Sequence, residues 1–125
     1  MAMNLFLDVE KQHLDSFRQD LPDSFDVVIV EANSADEAIN LGIEEWKNAI
    51  VVVITPFGLS GPRRNWKATS STLLAMGGYT QLMGDEGRTP LTLPGHYVEF
   101  QAAQYAYTAA TACLLAGEKK LIDVS

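Results

Sequence analysis

The hydrophobic positions along this chain follow two rhythms that alternate. Residues 4–9, 25–30, 50–55 and 121–124 are short, nearly continuous apolar runs, the second and third rich in valine and isoleucine. Such runs read as buried β-strands. Between them the apolar residues recur every three or four positions, the spacing of a helix with one inward face. Leu14, Phe17 and Leu21 mark a helix over 10–21. Ser34 is placed to cap a second helix, with Glu37 three positions on completing a capping box. That helix is predicted to carry Ala38, Ile39, Ile43 and Trp46 inward and to end at Asn48. A third helix spans 69–83 and is interrupted at Gly77 and Gly78. A turn over 84–87 and an extended stretch over 89–95 lead to a long helix over 98–116, which Gly117 stops. Strands that alternate with helices and are apolar on both sides predict an α/β fold, a mainly parallel sheet flanked by helices.

The last helix gives the least direction. Phe100, Ala103, Tyr107, Ala110 and Leu114 form one apolar stripe, and Val98, Ala102, Tyr105, Ala109 and Ala112 form another. A helix apolar on most sides is predicted to lie centrally or in a contact between subunits.

The chain has 125 residues, 47% of them hydrophobic and 20% charged. That size suits one domain with a real core. The formal net charge of -7 opposes binding to a nucleic-acid backbone. An anionic ligand would need a local basic patch. Arg63, Arg64 and Lys67 form the densest one, and Lys119 and Lys120 another. The one cysteine, Cys113, sits in an alanine-rich stretch and reads as a packed thiol. The amino-terminal residues have no signal-peptide pattern, and no run is long enough to span a membrane, so a cytoplasmic location is expected. His13, His96 and the scattered carboxylates show no metal-ligand spacing, so no metal is expected. His13 falls on a predicted surface helix and receives no role.

The segment 50–62 carries the most chemistry. A buried strand ends at Thr55 and opens into a loop with Pro56, Phe57, Gly58, Gly61 and Pro62, followed by Arg63, Arg64 and Lys67. In open α/β sheets, ligands sit at the carboxyl ends of strands. A glycine-bearing basic loop there suits a phosphate-rich anion. A plain connector with solvated arginines is the structural alternative. Thr55, Phe57, Gly58, Gly61, Arg63, Arg64 and Lys67 are the candidate binding residues. Glu99 falls in the first turn of the last helix, where free N–H groups and the dipole favour a carboxylate. His96 lies three residues earlier, within reach of it as an acid–base partner. The structural alternative makes Glu99 a helix-start carboxylate and His96 a cap.

The order of several motifs resembles the family III CoA-transferases, the group of carnitine dehydratases, bile-acid-inducible proteins and α-methylacyl-CoA racemases. The motifs are the stretch from Ile54 to Pro62, then Trp66, Lys67 and Ala68, then Ala75 to Gly78, Gly84 and Asp85, Pro94 to His96, and Ile122 to Ser125. The resemblance covers nearly the whole chain, yet only the middle of the family's large domain. It implies a truncated Rossmann-like layer that lacks the opening strand–helix–strand unit and the small second domain. It also implies coenzyme A or acyl-CoA as substrate and an interlocked homodimer. The family's nucleophilic aspartate aligns with Glu99, one methylene longer. The Gly-Tyr-Asp of the transferases, Gly-His-Asp in the racemases, is matched by Ala68, Thr69 and Ser70, so the racemase histidine is absent. Glu31 is kept in the stretch that contacts CoA, but Ala32 to Asp36 differ from the family and Asn40 stands for its arginine.

Two functions follow from these departures. The first is a stand-alone CoA or acyl-CoA module with reduced or lost catalysis, in which exposed apolar faces are buried between subunits. The second is an active acyl-CoA transferase or isomerase that uses Glu99, completed by an oligomeric or separately encoded partner.

Overall fold

A computed structural model of the chain describes residues 5–6 and 25–125. The helix expected over 10–21, with His13, lies outside the described residues, as do the flanks of the first strand. Among the described residues a four-stranded sheet runs β1 (Leu5–Phe6), β2 (Val27–Glu31), β3 (Ile50–Ile54), β4 (Leu121–Val124) in that spatial order. Every neighbouring pair is parallel, with Val27 opposite Ile50 and Val51 opposite Leu121. The α/β, parallel-sheet expectation is therefore correct.

The period-two geometry of a strand sorts the side chains into two cores. Val28, Val30, Val51 and Val53 face one side and pack with Ala38, Ile43, Trp46 and Ala49. Val27, Ile50 and Val52 face the other and pack with Ala106, Ala110 and Cys113, joined by Ile29, Ile54, Ile122 and Val124. The middle of β3 is fully enclosed, with Val52 and Val53 at 0% exposure. That is why this strand is apolar without alternation.

Helices α1 (Ala35–Asn40), α2 (Ser70–Met76), α3 (Tyr79–Leu82) and α4 (Tyr97–Ala116) complete the described frame. α1 is shorter than the sequence predicts. It ends at Asn40, Gly42 adopts φ 79°, and a single 3-10 turn spans Ile43–Glu45. The break turns Ile39 outward, to 37% exposure, while Ile43 and Trp46 stay inside. The expected cap is present, because Ser34 Oγ accepts from the Glu37 N–H at 3.3 Å. The return bond is shifted by one residue: Glu37 Oε2 accepts from Asn33 N at 3.1 Å. Gly78, at φ 82°, separates α2 from α3 as expected.

α4 has the expected length, and Gly117 at φ 68° ends it. Its inward face differs from both predicted stripes. Ala106, Ala110 and Cys113, spaced by four and three, are the buried residues, whereas Phe100, Tyr105 and Tyr107 are 70%, 66% and 64% exposed. An almost uniformly apolar helix has no phase to read. The face that meets the sheet is the one with small side chains, which let the helix approach closely. Cys113 is a buried, free thiol, as predicted.

Candidate functional site

The carboxyl ends of β2, β3 and β4 and the first turns of α4 surround an open cleft of about 490 Å³. Each wall follows from the local fold. β2 contributes Glu31, Ala32 and Asn33 as it leaves the sheet, held by the bond from Ala32 N to Ile54 O at 3.0 Å. β3 contributes Ile54, Thr55 and Pro56, and Thr55 N donates to Val124 O at 3.1 Å. Thr69 caps α2 by accepting from Thr72 N, which brings Ser70 and Leu73 to the cleft. α4 presents Val98, Glu99 and Ala102 from the opposite side.

Glu99 is the charged centre of this arrangement. Its Oε1 accepts a hydrogen bond from Ser70 Oγ at 2.5 Å. His96 Nδ1 stands 4.0 Å from the same oxygen. The serine hydrogen bond, helped by the residue's own backbone N–H and by His96, holds the Glu99 carboxyl below the usual glutamate range, against an opposing effect of burial. A carboxylate in this state carries its negative charge at neutral pH and keeps Oε2 available. It is fit for attack on an electrophilic carbonyl and poorly fit to give up a proton.

Thr55 is a second unusual group. It is 3% exposed, and its hydroxyl has no hydrogen-bond partner among the described residues. Buried hydroxyls are normally paired, so an orphan in the wall of a cleft needs a reason.

Of the candidate residues, the structure brings Thr55 and Glu99 to the cleft, with His96 beside Glu99. Phe57, Gly58, Gly61, Arg63, Arg64 and Lys67 do not line it. Gly58, at φ 77°, lies against β4: a Cβ there would stand 3.1 Å from Asp123 Oδ2, and Leu59 N donates to that oxygen at 2.8 Å. Arg64 reaches Asp36 at 3.6 Å, and Asn65 bonds the same carboxylate at 2.7 Å. Arg63 lies over the Trp66 ring at 5.0 Å, and Phe57 meets that ring edge-on at 6.0 Å. The loop is thus pinned to α1 and to β4. Lys67 and Gly61 are exposed. Among the described residues no cluster of three metal-ligating side chains exists. No helix of the described residues is long and apolar enough to cross a membrane.

The pairing of Ser70 with Glu99 spans 29 residues, and spacing along the chain gives no sign of it. Ser70 entered the sequence reading only as a departure from a family motif.

The comparisons agree with this fold. A CAIB/BAIF family protein from Brucella suis superposes with a TM-score of 0.78 at 23% identity, over 93% of this chain and 33% of that one. Rv3272 from M. tuberculosis superposes with a TM-score of 0.71 at 22% identity, over 90% of this chain and 34% of that one. At such identities the likeness establishes the fold. The probable CoA-transferase Rv1866 of Mycobacterium tuberculosis is 33% identical over 63 residues, which are 50% of this chain and 8% of that protein. The chain therefore spans about a third of the solved structures and a small part of the curated relative. CoA-transferase family III matches residues 4–125. With that match covering almost its full length, the chain belongs to the CoA-transferase family III.

Proposed function

We propose that the cleft is a site for CoA thioesters and that Glu99 is its attacking carboxylate. The observation that carries this reading is the Ser70–Glu99 hydrogen bond at the carboxyl ends of the parallel strands, which keeps a carboxylate ionised beside a cavity. Family membership supplies the substrate class. Oε2 of Glu99 attacks the thioester carbonyl, the C–S bond breaks, and CoA leaves as the thiolate. A mixed anhydride between Glu99 and the acyl group remains. The thiolate then attacks the glutamyl carbonyl and releases the acyl group as a carboxylate. An acceptor acid takes the CoA by the reverse sequence.

One observation supports a second reading, a module that binds CoA thioesters without turnover. Among the described residues no lysine, arginine or histidine lines the cleft, and Arg63 and Arg64 are engaged elsewhere. Cations for the CoA diphosphate then come from a partner or from the loop edge at Lys67.

Thermal denaturation with free CoA and with butyryl-CoA tests binding. At a ligand concentration 100 times Kd, stabilisation of about 2.7 kcal/mol is expected, a rise of several degrees. No rise in melting temperature with millimolar ligand overturns both readings. Intact-mass analysis separates them, since only the catalytic site forms a CoA adduct.

The same proposal includes a cytoplasmic homodimer. It is supported by apolar residues left in solvent, among them Leu82, Phe100, Tyr105, Tyr107 and Leu115. Apolar surface of this kind marks contact sites. Sedimentation velocity is expected to give twice the chain mass, and a monodisperse monomer contradicts it.

A further inference from the structure

The cleft beside Glu99 has a chemical character of its own. Its walls include Ile54, Leu73, Val98 and Ala102, all hydrocarbon. Two carboxylates, Glu31 and Glu99, are among its lining residues, and no lysine, arginine or histidine lines it with them. His96, 4.0 Å from Glu99, stands outside the lining and is largely exposed. One hydroxyl in its wall, that of Thr55, is buried without a partner. Small-molecule sites are commonly apolar cavities of roughly 300–1,000 Å³ with a few polar groups that fix orientation. The cleft, at about 490 Å³, has that form.

We infer that this cleft is an acyl pocket selective for uncharged, mainly hydrocarbon acyl groups, with Thr55 donating a hydrogen bond to the ligand's carbonyl oxygen, and that it excludes acyl groups ending in a carboxylate. The inference rests on the CoA-thioester reading and adds the substrate class. The exclusion is electrostatic. A further carboxylate brought among the lining residues meets the like charges of Glu31 and Glu99 and no lysine, arginine or histidine among the described lining residues, and such juxtapositions are strongly unfavourable. The positive selection is by solvation. The hydrocarbon part of the wall returns the transfer free energy of an apolar chain, and the neutral polar residues that share the lining, Asn33, Thr69, Ser70 and Ser125, offer a carboxylate no positive charge. Thr55 gives direction. Its methyl and hydroxyl share one carbon, so a χ1 rotation exchanges which of them faces the ligand. A buried donor with no partner among the described residues then gains one when a carbonyl arrives.

Calorimetric titration of the whole chain with two thioesters of equal length, butyryl-CoA and succinyl-CoA, tests this. Butyryl-CoA is expected to bind about tenfold or more tightly than succinyl-CoA. Glu31→Gln is expected to narrow that gap, chiefly by improving succinyl-CoA. Thr55→Val, nearly isosteric, is expected to weaken butyryl-CoA by about fivefold, and Thr55→Ser to preserve it. Far-UV circular dichroism confirms that each variant is folded, and the wild-type comparison needs no variant. Equal affinity for the two thioesters overturns the inference while leaving the CoA-thioester reading intact. Tighter binding of β-alanyl-CoA, which ends in a cation, also overturns it. Binding of neither thioester, nor of free CoA, overturns the underlying reading and the inference together.

Discussion

Replacing Glu99 by glutamine is expected to abolish acyl transfer, lowering kcat by about 1,000-fold or more, while CoA thioesters still bind. The amide keeps the size and one hydrogen-bond acceptor of the carboxylate. It lacks the charge and the nucleophilic oxygen, so the mixed anhydride does not form. Glu99 is 44% exposed along its side chain and lies at a helix start, so the stability change should be small, within about 0.5 kcal/mol. The wild-type chain should show a CoA adduct on Glu99 by mass spectrometry after incubation with butyryl-CoA. The glutamine variant should show none. A variant that transfers acyl groups at the wild-type rate removes Glu99 from the reaction. Ser70→Ala sharpens this result. The serine hydrogen bond is the largest cause of the lowered Glu99 pKa, so its loss moves that pKa up. The acid limb of the rate profile should move to higher pH with it. The sign also holds for stability. A carboxylate with a depressed folded pKa stabilises the fold above the ordinary glutamate pKa, and the gain disappears as pH falls through the lowered value. Ser70→Ala should therefore remove stability at neutral pH and leave the acid end unchanged.

Much of the frame was legible because burial and period agree. The valine runs of β2 and β3 are sandwiched between two cores, and a parallel sheet covered on both faces makes such runs stable. Gly78 and Gly117 punctuate helices where a left-handed residue is needed. What could not be read is what depends on long-range packing. The phase of α4 is one case, because alanines and aromatics alternate around it and size, rather than hydrophobicity, selects the inward face. The fate of the basic loop is another. Arg63, Arg64 and Lys67 form a patch in sequence, but Asp36 and Trp66, from other positions, draw two of the three charges aside. Thr55 and Glu99 were identified separately, and the cleft that joins them is a product of the strand order. Ser70 carries no signal in the chain beyond its place in a family motif, because a hydroxyl becomes informative only when a carboxylate 29 residues away lies against it.

The early end of α1 yields the largest expected effect on stability. Trp46→Ala is expected to destabilise the fold by about 3–5 kcal/mol, the usual cost of removing a buried indole. Trp46 is 5% exposed and packs in one core with Ile43, Ala38, Val51 and Val53. Urea denaturation followed by circular dichroism measures the loss, which is a large share of the roughly 5–15 kcal/mol of a domain. Ile39→Ala provides the discriminating control. A continuous helix through Asn48 would put Ile39 inward beside Trp46, and its truncation would then cost about 2–5 kcal/mol as well. The observed break at Gly42 turns Ile39 partly to solvent, so the expected cost falls to about 0.5–1 kcal/mol. Gly42→Ala completes the argument, since an alanine at φ 79° is strained by about 1 kcal/mol where the glycine is not. Losses of equal size at Ile39 and Trp46, together with a stabilising Gly42→Ala, would mean that one helix runs through this segment after all. Unequal losses and a destabilising alanine fix the turn that lets Trp46 close the core beneath β2 and β3, two of the three strands whose carboxyl ends form the cleft.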